Sequence, residues 1–230
     1  MAAVGLLYVG AILFLNGVML LGLVDPKSAA PLNLFVGGLQ VVTPTVLIIQ
    51  SGGDPDLILA ASGIYLFGFT YLYVGINLLA GLDGTGVGFF SLFVAIAALG
   101  YSAAFFDNLD DEPFGVIWLY WSFLWLLFFL VLGLRKERLT RYTGAVAAVE
   151  GWVTGAIPAM LILTGRWDQD DYSTIAVVLA VVGVVMVVAL WPLTRPPAIA
   201  EDSGAAEGVS VPQARATGTT TSEAETPERR

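Results

Sequence analysis

Apolar residues run along this chain in seven long blocks, roughly residues 2–24, 31–50, 57–81, 87–106, 114–134, 144–165 and 174–193. Each block approaches or exceeds the ~20 residues an α-helix needs to cross a hydrocarbon core of ~30 Å. Between them, charges and helix breakers collect at Asp25-Pro26-Lys27, Gly52-Gly53-Asp54-Pro55, Gly81 to Gly86 and Asp107 to Pro113. The pattern predicts an all-α membrane protein, with a domain of about seven transmembrane helices over residues 1–195. From about Pro196 the chain turns to Ala, Gly, Ser, Thr, Glu and Pro, with no aromatics. Such a segment buries too little apolar surface to offset the entropy of ordering, so 196–230 is expected to be a disordered tail.

Composition supports the membrane class. Apolar residues make up 57% of the chain and charged residues 13%, with a mean hydropathy of +0.81. A soluble domain of this length needs far more charge to keep its surface wet. No Lys or Arg precedes the first block, and the block runs to Val24, so it reads as a span rather than a cleaved leader. Charge placement then suggests an orientation. Arg135, Lys136, Arg138 and Arg141 cluster between blocks five and six, which puts that loop in the cytoplasm. Lys27 falls on the same side. The opposite loops carry Asp54 and Asp56, then Asp107, Asp110, Asp111 and Glu112, then Asp168, Asp170 and Asp171. The expectation is a multi-pass plasma-membrane protein with its N-terminus outside and its C-terminal tail in the cytoplasm.

A weak internal repeat adds to the organisation. Leu7-Tyr8-Val9-Gly10 recurs as Leu72-Tyr73-Val74-Gly75, and Leu34-Phe35-Val36 as Leu92-Phe93-Val94. This fits a duplicated two-helix hairpin, with spans five and six as a diverged third copy. Such repeats are common in transport proteins. Gly37-Gly38, Gly81, Gly151 and Gly155 read as points of close helix approach in lipid.

Few residues inside the blocks carry chemistry. Glu150 is the one carboxylate well within a span, where an ionisable group costs roughly 2.5–3.5 kcal/mol unless it faces a cavity or a partner. It reads as a pore-lining acceptor or proton site on one view, and as a buried tie between helices on the other. Trp118, Trp121 and Trp125, at i, i+3 and i+7, share one face of span five. They suit flat walls for a planar polar solute, or ordinary aromatic packing. Phe67 and Tyr71 pair at i, i+4 with Thr70 beside them, and Leu6, Val9 and Leu13 form a stripe ending in Asn16. Aliphatic and aromatic walls with a few polar groups are what a narrow, ion-excluding slot requires.

Enzyme chemistry finds no footing. The chain has neither cysteine nor histidine, which removes thiolate nucleophiles, sulfur-ligated metals and the usual proton shuttle. One buried Glu lacks a second carboxylate, and no phosphate-cradling Gly-rich loop with Lys is present. Span seven holds no lysine for a retinal Schiff base. No cofactor, metal or nucleic-acid partner is expected.

Several blocks resemble the AmiS/UreI family. They include Leu6-Leu7-Tyr8-Val9-Gly10, Val24-Asp25-Pro26-Lys27-Ser28, Phe35-Val36-Gly37-Gly38-Leu39 and Leu66-Phe67-Gly68-Phe69-Thr70-Tyr71. Ile117-Trp118-Leu119, Trp121, Leu124-Trp125-Leu126 and Glu150-Gly151 continue the match, in order, to about residue 160. The resemblance implies a urea or short-chain amide channel of three two-helix hairpins around a protomer pore, assembled as a homohexamer. It implies pore-lining roles for Leu6, Val9, Leu13, Asn16, Phe67, Thr70, Tyr71, Trp118, Trp121, Trp125 and Glu150, as two apolar-aromatic constrictions with a polar stretch between or beside them. The chain departs from the acid-gated member of the family, whose histidine-bearing outer loop is reduced here to about six residues. Histidine gating is therefore excluded. Phe114 and Ala2 stand where that member has larger residues, which favours solutes slightly larger than urea.

The leading expectation is a passive channel for urea or acetamide-like amides, embedded in lipid and feeding a cytoplasmic amidase or urease. The alternatives are a proton-coupled amide carrier using Glu150, and a membrane scaffold that docks a cytoplasmic enzyme through its tail.

Overall fold

A computed structural model describes residues 2–195, whose regular elements are all helical, with no strand among the described residues. The tail expected over 196–230 lies outside them. Seven stretches are long and apolar enough to cross a membrane: Ala2–Leu20, Pro26–Gln50, Pro55–Ala80, Thr85–Asp107, Glu112–Gly133, Glu137–Leu163 and Gln169–Thr194. We number these spans one to seven. Their helices are α1 (Ala2–Leu20), α2 (Pro26–Gln50), α3 (Pro55–Ser62), α4 (Ile64–Ala80) and α5 (Thr85–Asp107). They continue as α6 (Glu112–Phe128), α7 (Thr140–Glu150), α8 (Ile157–Leu163) and α9 (Tyr172–Leu190).

Capping chemistry explains why the helices start where they do. Asp25 accepts hydrogen bonds from the Lys27 and Ser28 N–H groups at 2.8 and 3.3 Å, with Pro26 at the first helical position. Asp54 does the same for Asp56 and Leu57 ahead of Pro55. An acidic cap followed by proline is an efficient helix start, so span two begins at Pro26 rather than at 31. Span one is shorter than its apolar run. It stops at Leu20, and Gly22 takes a left-handed φ of 82° just beyond.

The first six spans close into a ring. Its three closest pairings are α2 on α4, α5 on α6, and α7–α8 on α1, so span six returns to seal against span one. Glycines allow this intimacy. A Cβ added to Gly10 would lie 2.5 Å from the backbone of Ala156 and of Gly151, and one on Gly17 would lie 2.5 Å from Ala148 N. Gly37 meets Leu72, and Gly88 meets Gly133, in the same manner. Backbones in contact are how helices associate in lipid, where no hydrophobic force draws them together. Gly37, Gly151 and Gly155 thus serve as expected. Gly38 and Gly81 do not: a Cβ at either meets nothing within 4 Å, and Gly81 is the left-handed cap of α4.

Buried polar side chains pin neighbouring spans. Asn16 and Asn33 exchange two hydrogen bonds of 3.0 and 2.9 Å between spans one and two. Gln40 donates to the Gly5 carbonyl at 2.7 Å. Ser102 and Ser122 donate across spans four and five to Gly115 and Ala95, each at 2.8 Å. Span seven lies outside the ring, against α6 and α7, and buries only Ala176, Leu179 and Met186.

Candidate functional site

Span three breaks at Gly63, between α3 and α4, and the break serves an aromatic side chain. A Cβ there would stand 2.7 Å from the Trp118 indole. Span six passes through a π-helical stretch, Gly151–Ala156, directly after Glu150. This stretch sets Gly151 and Gly155 against Gly10 and places Thr154 beneath the tryptophans. The Thr154 hydroxyl donates to the Glu150 carbonyl at 2.7 Å and accepts from Trp121 Nε1 at 3.0 Å. One indole is thereby held by span six.

Two cavities occupy the interior. The first, about 440 Å³, lies at the end where span one begins, with Leu6, Val9, Gln40, Phe114 and Trp118 in its wall. The second, about 360 Å³, is walled by Leu13, Asn16, Thr70, Tyr71, Asn77 and Trp125. Phe67 and Trp121 belong to both. These two rings therefore form the partition. Phe67 stands edge-on to Trp121 at 4.6 Å between centroids and to Trp125 at 4.7 Å, with Trp118 at 5.9 Å. All four are buried. The arrangement is an hourglass with one aromatic waist.

Ten of the eleven residues singled out from the sequence line these cavities: Leu6, Val9, Leu13, Asn16, Phe67, Thr70, Tyr71, Trp118, Trp121 and Trp125. Glu150 is not in either wall. It is fully buried, and neither carboxylate oxygen has a hydrogen-bond partner among the described residues. Gln40 and Asn77 were not singled out, yet each lines a cavity. Their signal was available, since both are amides inside apolar runs, where a polar side chain needs a reason.

The waist and the second cavity suit a neutral, planar, polar guest. Trp125 Nε1, Tyr71 Oη and Asn77 Oδ1 belong to lining residues and are buried without a partner among the described residues. They offer a donor, a donor–acceptor and an acceptor beside flat rings. Among the described residues, no Asp, Glu, Lys or Arg lines the second cavity, and Asp111 is the only one in the wall of the first. Burial pushes the Asp111 carboxyl up to about 6, with the Phe114 N–H hydrogen bond opposing the rise and Glu112 adding to it. Near the other end, the Thr85 hydroxyl and N–H, and then Arg135, hold Asp83 below the usual carboxylate range. Arg135 reaches Asp83 at 3.1 Å and ties the loop before span four to the end of span five.

Comparison with known proteins places this geometry in context. The model of the AmiS/UreI family transporters matches residues 1–166. A Mycolicibacterium smegmatis protein named as an amidate substrates transporter is 56% identical over 195 residues, covering 85% of this chain and 91% of its own. The transporter protein AmiS2 of Rhodococcus erythropolis is 61% identical over 73% of this chain and 81% of its own length. The acid-activated urea channel of Helicobacter pylori is 38% identical over 70% and 97%. In structure, the chain matches the closed-state Helicobacter pylori urea channel with a TM-score of 0.66, covering 73% of this chain and all of that one.

Proposed function

This chain belongs to the AmiS/UreI family of transporters, and from that premise we propose that it is a passive channel for urea and short aliphatic amides. It is a multi-pass transport protein and not an enzyme. The observation that supports the channel reading most directly is the meeting of the two cavities at Phe67 and Trp121. A solute arriving in the first cavity slides edge-first between Phe67 and the tryptophans. It exchanges water for Trp125, Tyr71 and Asn77 in the second. Leu6, Val9 and Leu13 keep the walls apolar, and Asn16 and Thr70 supply further polar contacts. Ions lose hydration at the waist that nothing there restores, so they do not cross. The carrier alternative draws no support, because its coupling residue, Glu150, is in neither cavity wall.

The finer reading comes from the charges and the family. The Arg135–Arg141 cluster faces the cytoplasm, so the first cavity opens outside and the second inside. Protomers assemble as homohexamers in the plasma membrane, and the solute supplies a cytoplasmic amidase or urease. The large apolar residues on the ring's outer surface, such as Phe35, Phe93 and Ile96, suit both lipid and neighbouring protomers.

The experiment is stopped-flow permeability of proteoliposomes to urea, acetamide and propionamide at acid and neutral pH. Rapid, non-saturating flux that varies little with pH is expected. Slow, saturable uptake that follows an imposed pH gradient would overturn the channel in favour of a carrier.

A further inference from the structure

Span seven begins after the region matched by the family, which ends at residue 166, and it bears on the helix that carries the tryptophans. Tyr120 is next to Trp121 in sequence, so it points about 100° away around α6. Its hydroxyl donates to the Leu179 carbonyl at 2.6 Å. Its ring lies on Gly183, where a Cβ would stand 2.7 Å from Cζ. Two turns further along α9, the Val187 carbonyl accepts from Tyr142 of α7 at 3.3 Å, and Tyr142 stands edge-on to Trp191. At the other end, Trp167 packs edge-on against Phe114 at 6.0 Å. Phe114 lines the first cavity and connects through Phe105 to Trp118.

These ties have a geometric consequence. A buried tyrosine hydroxyl needs a partner, and its ring is stiff, so each tie fixes distance and direction together. A rotation of α6 by about 10° would move an indole lying roughly 6 Å from the axis by about 1 Å. Phe67 and Trp121 already meet edge-on with 4.6 Å between centroids, so a shift of that size changes their contact.

We propose that span seven is a splint that sets the rotation of α6, which makes Tyr120 and Tyr142 positioning residues for solute selectivity. The proposal rests on the channel reading above. It explains why an extra helix, needed neither to close the ring nor to line it, buries its few inward residues where it does. Interhelical hydrogen bonds in lipid are individually weak, so their worth here is in orientation more than in stability.

The test uses the full chain in proteoliposomes, with Tyr120→Phe, Tyr142→Phe, the double variant and Gly183→Ala. Tyr65→Phe, which breaks a hydroxyl pair with Thr45 away from α6, serves as the control. Tyr120→Phe, Tyr142→Phe and Gly183→Ala are each expected to change the propionamide-to-urea permeability ratio by about threefold or more, and the double variant by more than either tyrosine variant alone. The same variants should alter near-ultraviolet circular dichroism in the long-wavelength tryptophan band, and the control should change neither. A lower melting temperature with the ratio and the dichroism unchanged would reduce span seven to a strut and overturn the proposal. Absence of wild-type flux would sink the channel reading alone, because the dichroism still decides whether the splint exists.

Discussion

Leucine at position 67 should make this protein a faster and less discriminating channel. Phe67 makes two close edge-on aromatic contacts, to Trp121 at 4.6 Å and Trp125 at 4.7 Å. Each such pair is worth about 0.5–1.5 kcal/mol beyond simple burial. On the proposed path a solute crossing the waist has to part both, so they would contribute about 1–3 kcal/mol to its barrier. At about 1.4 kcal/mol per tenfold, removing them accelerates urea by about 5- to 150-fold. Leucine keeps the waist apolar, so ions remain excluded, and losing the two aromatic pairs costs the fold about 1–3 kcal/mol. Propionamide should gain more than urea, because the larger solute needs the wider parting. The assay is stopped-flow light scattering on vesicles of matched protein content, with unfolding followed in parallel. Urea permeability equal to or below that of the wild type, in a folded variant, would show that the rings do not gate the path.

Three further outcomes follow from the packing and the charges. Gly10→Ala, whose Cβ would lie 2.5 Å from two backbones, should lose about 1–3 kcal/mol of stability, whereas Gly38→Ala, with open space, should gain up to about 1 kcal/mol. Thermal unfolding in detergent distinguishes them, and equal effects would refute the glycine contact of spans one and six. Burial holds the Asp111 carboxyl near 6, above its ordinary value of 3.8, so the folded state favours the protonated acid. Its contribution to stability is therefore fully present below about pH 4 and lost as pH rises through about 6. Asp111→Asn, which keeps an oxygen for the Phe114 N–H, should flatten that part of the stability profile; an unchanged slope would assign it to another group. Glu150→Gln should leave passive urea flux nearly unchanged at acid and neutral pH. Loss of an uptake driven by a pH gradient in this variant would restore the carrier reading.

The spans were legible because lipid imposes one requirement on every residue of a crossing helix, and the apolar runs display it. Helix ends were less so. Span two starts at Pro26 because the Asp25 side chain caps it, a local bond that an average over 20 residues smooths away. Gly81 looked like a packing glycine and is a left-handed cap, since a glycine's role depends on which neighbour comes near. The tryptophan face was readable from its i, i+3, i+7 spacing. That Phe67 meets all three indoles was not, because it depends on how spans three and five are turned toward each other. In the same way, the rotations of spans six, two and three decide that Glu150 stays outside both cavity walls while Gln40 and Asn77, no more conspicuous in sequence, enter them.

The pairing of span six with span one sets a condition on how the protein is made. Gly10 and Gly17 find their partners only in Gly144, Ala148, Gly151 and their neighbours, far along the chain. A ribosome adding about 5–20 residues per second needs roughly 7–30 s to pass from the end of α1 to the end of α8. For all that time the first helix waits in the bilayer with its glycine face uncovered, and no path through the ring exists. On the proposed path, the ring is complete only when the sixth span docks on the first.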